Sequence, residues 1–299
     1  MSLYDKFAQN QTCLNIFRTM RTKVNEKNKK KRVKGKYTFI NRKKDSDKLC
    51  IILAGYKEFL WEDVFGRIEK YTPKDIDVCI VSSGLYSEKL ANIAEKNDWS
   101  YLSVKQNKVT LVQNIAINIH PKAKKIYKLD EDIFVTQSFF TKLEETYDKM
   151  QKEGRYNIGF IAPMLPINGY SNVKVLEKTG LIEKFDERFG KAYYNGDGDA
   201  PIIQNPDIAK FLWGETEEKL RDIDKLDEEF SNQEFSYSIC PIRFSIGAIL
   251  FSRQLWEDMG RFEVGIGNNM GRDEIQLCNY LLSDSRAIIV AENTIAGHF

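Results

Sequence analysis

The central part of the chain alternates between short apolar runs and longer stretches in which apolar residues recur every three or four positions. The short runs predict buried strands, and the longer stretches predict amphipathic helices. In chain order, strands are expected at residues 49–54, 77–82, 99–104 and 125–129, and helices at residues 61–71, 87–97 and 109–119. Repeated strand–helix–strand units of this length predict an α/β fold, with a mostly parallel, twisted sheet and helices on both faces.

The pattern becomes less regular after residue 137. Further elements are expected as helices at residues 138–152, 216–230 and 273–282, and as strands at residues 241–251 and 287–291. Residues 154–210 combine prolines with many glycines and asparagines, which is typical of loops around a site.

Composition limits the class of protein. The 299 residues are 42% apolar and 29% charged, which is enough for a large core. No apolar run approaches the length of a membrane-spanning helix, and the first residues do not resemble a secretory signal. The five cysteines are widely spaced without a C-x-x-C pair, which argues against a disulfide scaffold or a cysteine-built zinc site. We therefore expect a cytoplasmic protein.

Charge divides the chain into a basic arm and an acidic body. Residues 18–48 contain fourteen Lys and Arg against three Asp and Glu, a net charge of +11, whereas residues 49–299 contain 30 basic and 39 acidic residues, a net charge of −9. The arm is expected to be a solvated, partly disordered leader, or else a surface that contacts an anionic membrane. Nucleic acid is not expected as a partner, because the basic run lacks interleaved aromatic residues.

Three acidic residues follow the fourth predicted strand. Asp130 and Asp132 are separated by one residue, so their side chains point the same way and can share one divalent cation. Such a pair alone is also compatible with a solvated acidic turn. Ligands of parallel sheets bind beyond the carboxyl ends of the strands, which places this pair to hold Mg²⁺ or Mn²⁺ against a diphosphate.

A glycine-rich loop at residues 265–271 leads into a second acidic pair, Asp273 and Glu274. These carboxylates lie in the first turn of a predicted helix, where they would stabilise the helix through its dipole. The alternative is that one of them is a general base at the edge of a cleft. His298, one of only two histidines, is the remaining candidate for chemistry.

The order of these motifs resembles the GT-A glycosyltransferases, in particular their inverting, family-2-like branch. Residues 49–56 match the first strand with its following loop, residues 105–114 match the segment before the metal motif, and residues 128–132 match the D-x-D line. Residues 246–262 match a glycine loop, residues 271–274 match the acidic pair, and His298 matches the histidine. The resemblance covers residues 49–299 as an ordered set, which is more specific than any single motif.

The resemblance implies that a nucleotide-diphosphate sugar, by family habit a UDP-sugar, binds across the carboxyl ends of the first four strands. The residues expected to bind this donor are Ala54, Gly55, Tyr56, Glu58, Ser83, Asn107, Gln113, Asn114, Asp130, Glu131 and Gly247. Asp132, with or without Asp130, and His298 would hold Mn²⁺ or Mg²⁺.

The resemblance also implies a reaction. Asp273, beside Glu274, would act as general base in an inverting transfer to a glycan or lipid-linked acceptor, as in surface polysaccharide assembly. The chain would then consist of a basic extension at residues 1–48, a nucleotide-sugar-binding half at residues 49–136, and an acceptor-binding and catalytic half at residues 137–299.

Three positions depart from the family pattern. Ser82 and Ser83 stand where an acid usually contacts the base of the nucleotide, Gln113 replaces an arginine, and Val109 replaces a small residue. A catalytically degenerate domain, which binds nucleotide sugar or a partner without transfer, is therefore the main alternative. The presence of both acidic pairs and of His298 argues against it.

Two other enzyme classes fit less well. A phosphatase of the haloacid dehalogenase type has Thr or Val two residues after its second Asp, where this chain has Phe134. A sugar nucleotidyltransferase has a glycine-rich, basic loop after its first strand, which residues 55–59 do not provide.

Overall fold

The computed structural model describes residues 10–299, apart from the side chain of Phe17. The expectation that the first residues are neither a signal nor an anchor concerns residues outside this range. Within it, no helix is both long and apolar enough to cross a membrane.

The described chain alternates helices and strands. The helices are α1 (Gln11–Lys31), α2 (Trp61–Tyr71), α3 (Glu88–Lys96), α4 (Val109–Ile119), α5 (Phe139–Glu153), α6 (Ser171–Thr179), α7 (Ile182–Phe189), α8 (Pro201–Gln204), α9 (Pro206–Leu212), α10 (Ile223–Ser231), α11 (Arg253–Asp258) and α12 (Asp273–Ser283). The strands are β1 (Tyr37–Ile40), β2 (Lys48–Leu53), β3 (Asp77–Ser83), β4 (Ser100–Val104), β5 (Lys125–Asp130), β6 (Ile133–Phe134), β7 (Ile158–Met164), β8 (Tyr237–Cys240), β9 (Ala248–Ser252), β10 (Ala287–Ile295) and β11 (Gly297–His298).

Nine of these strands form one sheet in the order β1-β4-β3-β2-β5-β9-β7-β10-β8. Six of them, β2, β3, β4, β5, β7 and β10, run in the same direction, and β1, β8 and β9 run against them. The α/β prediction with a mostly parallel sheet is therefore confirmed.

Both faces of the sheet are covered. Every residue of β3 and β4 is buried, as are the four inner residues of β2. A strand that is buried on both faces requires a continuous apolar run rather than an alternating one, and this is the pattern that the sequence shows. The core therefore lies on both sides of the sheet, beneath the helices, and polar side chains are left for the strand ends.

Part of the basic arm belongs to this sheet. Strand β1 pairs antiparallel with β4, with Tyr37 opposite Val104, and it forms one edge. Before it, α1 is a helix of 21 residues, where the sequence predicts a solvated, partly disordered leader or a surface that contacts an anionic membrane. The division of the chain at residue 48 stays a prediction, although the strand pairing crosses it.

Three predictions for the later part of the chain are wrong. Residues 216–230 do not form one helix: a 3₁₀ turn covers Glu218–Leu220, and the Asp222 side chain then caps a new helix, α10. Of the strand expected at residues 241–251, only residues 248–251 are extended in the sheet, as part of β9. The expected loops of residues 154–210 contain strand β7 and helices α6 to α9.

Candidate functional site

The acidic motif lies at the carboxyl end of β5, the central strand of the sheet, between parallel β2 and antiparallel β9. Asp130 is the last residue of β5, and its backbone N–H donates to the Gly247 carbonyl at 2.8 Å. A Cβ added to Gly247 would lie 3.3 Å from Asp130 Oδ2 and 3.6 Å from His298 Nε2. The backbone at residue 247 therefore packs directly against both side chains, and a larger residue would press on Asp130.

Asp130 is paired with a lysine from its own strand. Lys128 is fully buried and donates from Nζ to Asp130 Oδ1 at 2.6 Å and to the Ile246 carbonyl at 2.9 Å. Burial opposes the charged form of Lys128, but the carboxylates of Asp130 and Asp273 outweigh it and raise the lysine pKa. Removal from water also raises the pKa of Asp130. One oxygen of Asp130 is thus occupied by the protein itself.

Asp132 lies beside His298 because a second, small ladder joins the two segments. Strands β6 and β11 pair antiparallel with His298 opposite Ile133, the residue after Asp132. The Nε2 atom of His298 is 3.8 Å from Asp132 Oδ2. Lys57, which follows β2, donates to the same oxygen at 2.5 Å. The order of the chain hides this cluster, since its members are separated by 75 and more residues.

Asp132 and His298 fit two positions of a divalent metal site. Asp132 Oδ1 and His298 Nδ1 are both buried and have no hydrogen-bond partner among residues 10–299. The same part of the chain contains no group of three or more His, Cys, Asp or Glu side chains arranged for a metal. Further ligands would therefore come from a diphosphate and water, which is usual for Mg²⁺ and Mn²⁺.

Glu131, between the two aspartates, points into the protein. Its carboxylate accepts hydrogen bonds from the backbone N–H groups of Gly55 at 2.8 Å and Tyr56 at 2.9 Å, and from Trp61 Nε1 at 2.6 Å. Three donors on one buried carboxylate fix the loop after β2 to the loop after β5. Glu131 is therefore a positioning residue for both loops.

A second polar cluster lies at the ends of β2, β3 and β4. Asn107 Oδ1 accepts from Tyr56 Oη at 3.0 Å and from Ser83 Oγ at 3.1 Å. Gly84 has φ +84° and packs so closely on Asn107 that an added Cβ would lie 2.8 Å from the asparagine Cβ. Three residues that the sequence predicts as donor-binding are thus brought together.

The remaining predicted donor-binding residues are placed differently. Ala54 donates its backbone N–H to the Val81 carbonyl at 2.9 Å, at the carboxyl end of β2. Glu58 is exposed and accepts from Lys89 Nζ at 2.9 Å. Asn114 is fully buried, and its amide bonds only to protein groups, including the backbone of Phe262. Asn114 therefore links separate parts of the protein, and its amide is not free to bind a donor.

The second acidic pair opens α12, and its two members face different surroundings. Gln113, which is buried in α4, donates from Nε2 to Asp273 Oδ2 at 2.7 Å. Glu274 lies 3.2 Å from Arg243 Nε, and burial raises the pKa of the Glu274 carboxyl above its usual range. The glycine-rich loop before them is held by buried Lys108, which donates to the Gly267 and Asn269 carbonyls.

A cavity of about 560 Å³ joins the Asp132–His298 cluster to Glu274. Its polar wall contains Asp132, His298, Glu274 and Arg243, with Lys57 at one side. Its apolar wall includes Ile167, Ile203, Ala209, Trp213 and Phe299. Trp213 is held edge-on against Phe134 and Phe299, with ring centroids 5.5 and 6.4 Å away. The cavity therefore combines a charged wall with an aromatic one.

Two residues of this site have no motif in the sequence. Lys57 could have been found from its position, because it follows the first predicted strand at the edge where ligands bind. Arg243 had no such signal, since it lies in a segment that the sequence predicts as strand. Trp256, unlike Trp213, is fully buried in the core and does not line this cavity.

Comparison with known proteins gives only distant likenesses. No protein-family model matches the chain, and no curated protein matches its sequence. Among solved structures, the chain is similar to the mannosyltransferase PcManGT from Pyrobaculum calidifontis in complex with GDP-Man and Mn²⁺, with 12% identity and a TM-score of 0.47 over 90% of this chain and 62% of that one. The chain thus spans less than two thirds of that protein.

Two further structures are similar to parts of the chain. One is described as a mycobacterial protein, with 11% identity and a TM-score of 0.43 over 84% of this chain and 67% of that one. The other is S. aureus TarS, with 12% identity and a TM-score of 0.31 over 40% of this chain and 21% of that one. At these values the likenesses assign no function, which has to be argued from the site itself.

Proposed function

We propose that the protein is a GT-A glycosyltransferase, which transfers a sugar from a nucleotide-diphosphate sugar to an acceptor hydroxyl with inversion. The observation that carries the proposal is the cavity in which Asp132 and His298, with their unpartnered buried atoms, share one wall with Glu274. A pair of metal ligands and a carboxylate on one wall are the parts that this reaction needs.

The metal would be Mn²⁺ or Mg²⁺, held by Asp132 and His298. When bound, it supplies Lewis-acid neutralisation of the negative charge on the departing diphosphate. Lys57 donates a hydrogen bond to the Asp132 carboxylate. When the donor binds, the Lys57 side chain would turn from Asp132 toward the phosphates. Asp130 is paired with Lys128 and would contribute negative charge near the metal. Tyr56, Ser83 and Asn107 would contact the nucleoside, for which UDP is our first choice.

The resemblance to the family points to Asp273 as the general base, but we place the base at Glu274. Glu274 lines the cavity, whereas Asp273 does not and accepts a hydrogen bond from Gln113. A general base must reach the proton that it removes, and a raised pKa increases its basicity. The acceptor hydroxyl would give its proton to Glu274 while its oxygen forms the bond to the anomeric carbon and the nucleoside diphosphate leaves.

The aromatic wall suits the apolar face of a sugar ring, because Trp213 and Phe299 offer flat surfaces next to the charged wall. We therefore propose a glycan or lipid-linked acceptor, with the protein acting in the cytoplasm at the inner face of the membrane, as in polysaccharide assembly. The enzyme class would be hexosyltransferase.

Calorimetric titration of UDP, GDP and dTDP, with and without Mn²⁺, tests the donor site. We expect one nucleotide to bind in a Mn²⁺-dependent manner, and Asp132→Asn to weaken that binding by about a hundredfold, since one metal ligand is lost. Asp98→Asn is the matched control: Asp98 is exposed, lies at the opposite end of the sheet before β4, and has φ 55°, which asparagine tolerates.

Two results would contradict the proposal. If none of the nucleotides binds, the acidic pairs do not form a donor site for a nucleotide sugar. If a nucleotide binds but no sugar is transferred from the matching nucleotide sugar to any of a panel of glycan acceptors or to water, the degenerate-domain alternative is correct.

A further inference from the structure

Helix α1 carries an apolar ridge that faces away from the protein. Ile16, Met20 and Val24 follow one another at intervals of four residues, so they lie on one side of the helix. Their exposed fractions are 52%, 61% and 56%, respectively. A helix that packs on a core normally buries such a ridge. Here residues 15–28 are exposed wherever their side chains are described, so no described part of the protein covers the ridge.

The other side of the helix holds it to the body. Lys29 is mostly buried, pairs with Glu257 at 3.4 Å, and its carbonyl accepts from Arg261 Nη1 at 3.1 Å. Just after the helix, Arg32 donates to the Gly260 carbonyl at 2.8 Å. These contacts fix which side of α1 faces outward at its last turn.

Lysines extend the outward side. Lys27 and Lys31 follow Val24 by three and seven positions, so they continue the ridge, and Lys29, two positions from each, projects from the opposite side. Lys23, Lys27, Lys30 and Lys31 are all exposed. The outward surface therefore begins apolar and ends strongly basic, with Glu26 beside it.

The structure divides the basic arm into two parts with different tasks. Lys48 pairs with Asp75 and Glu144, each at 2.8 Å, and Arg32 pairs with Glu263 at 2.8 Å. The basic residues after α1 are therefore partly neutralised by the body, whereas the lysines on the outward side of α1 keep their charge for a partner.

We propose that α1 docks on an anionic lipid surface, with Ile16, Met20 and Val24 entering the headgroup boundary and the lysines contacting acidic headgroups. Charge complementarity selects an anionic partner, and the aliphatic ridge selects a lipid over a nucleic acid, whose backbone offers nothing for it to bury. This docking goes beyond the proposed transfer reaction and does not depend on it.

Co-sedimentation with lipid vesicles tests the proposal on the full chain. The probes are vesicles of equal parts phosphatidylglycerol and phosphatidylcholine, and vesicles of phosphatidylcholine alone. We expect binding to the first and at least tenfold weaker binding to the second. Raising the salt to about 1 M, where charges are screened beyond about 3 Å, should also weaken binding.

Two variants separate the ridge from the lysines. The triple variant Ile16→Gln, Met20→Gln, Val24→Gln should bind the anionic vesicles about a hundredfold more weakly, because it removes the apolar insertion. The quadruple variant Lys23→Gln, Lys27→Gln, Lys30→Gln, Lys31→Gln should lose a similar factor. A control with the same net charge, Lys74→Gln, Lys96→Gln, Lys191→Gln, Lys225→Gln, changes exposed lysines elsewhere and should stay within about threefold of the native chain.

Circular dichroism and thermal unfolding of each variant establish that its fold is kept. The proposal is overturned if native protein does not bind the anionic vesicles, if the triple variant binds them as well as the native chain, or if the control loses as much as the quadruple variant. Binding of a short RNA duplex at the same salt, without vesicle binding, would identify nucleic acid as the partner instead.

Discussion

Asp273 and Glu274 are neighbours in the chain, but their environments give them different tasks. Asp273 accepts a hydrogen bond from Gln113, and Glu274 faces the cavity beside Arg243. The sequence could place an acidic pair at the start of a helix, but it could not tell which member faces solvent. That depends on how α12 is rotated against α4, which only tertiary packing decides.

Substitution of the two acids separately tests this difference. Glu274→Gln should lower kcat by about a thousandfold and leave nucleotide affinity unchanged, since only the proton acceptor is lost. Asp273→Asn should lower kcat by no more than about tenfold, because a charged hydrogen bond to Gln113 becomes a neutral one. Steady-state kinetics with calorimetry on the same samples gives both quantities.

The pH profile gives a second measure of the same residue. A base must be deprotonated to act, so kcat/KM should fall as the pH drops through the pKa of Glu274, which burial raises above the usual glutamate range. The reverse ranking, with Asp273→Asn inactive and Glu274→Gln nearly normal, would return the base to Asp273.

At the scale of elements, the strands and helices with the strongest pattern are predicted most accurately. Helices α2 and α4 begin and end at the predicted residues. The strand expected at residues 241–251 is shorter than predicted. Its antiparallel pairing with β5 ends where Ala248 lies opposite Leu129, and the Gly247 carbonyl makes one further bond, to the Asp130 N–H. An apolar run gives no indication of where such pairing stops, because the partner strand lies more than 100 residues away in the chain.

Asn114 shows how one side chain can join elements that the sequence leaves unconnected. Its Nδ2 donates to the carbonyls of Arg32 and Phe262 at 3.0 and 2.7 Å, and its Oδ1 accepts from Trp256 Nε1 at 2.9 Å and Phe262 N at 3.0 Å. Every hydrogen-bonding direction of the amide is used, so α4, α11 and the segment after α1 are held together by this residue.

Asn114→Ala should therefore lower the free energy of unfolding by about 3 kcal/mol, because buried donors and acceptors lose their partner. Asn118→Ala, on the exposed side of the same helix, is the control and should cost no more than about 0.5 kcal/mol. Urea unfolding measures both. Equal losses in the two variants would mean that the network around Asn114 contributes little beyond helix propensity.

At the scale of the whole molecule, the boundary between the basic arm and the acidic body does not coincide with a boundary in the sheet. Composition changes near residue 48, yet β1 lies before that point and protects the edge of β4. The charge of a segment follows directly from its composition, whereas strand pairing depends on register with a distant segment. The sequence therefore gives the charge of the arm but could not predict that part of the arm pairs with β4.

Two truncations test where the fold begins. A chain that starts at residue 32 loses α1. Its free energy of unfolding should lie within about 1 kcal/mol of that of the full chain, since α1 is held by few contacts, mainly near its end. A chain that starts at residue 42 also loses β1 and exposes the edge of β4, so it should be less stable and self-associate. Thermal unfolding and size-exclusion chromatography compare them; equal behaviour would show that β1 adds nothing.

The buried carboxylate of Glu131 has a consequence for any anion that approaches this edge of the sheet. The amides of Gly55 and Tyr56 are already turned toward an internal negative charge, which occupies them much as a bound phosphate would. Neither amide is therefore free for an incoming anion. The diphosphate of the proposed donor would have to be held by cations, from side chains or a metal, and its affinity would depend on those few movable charges.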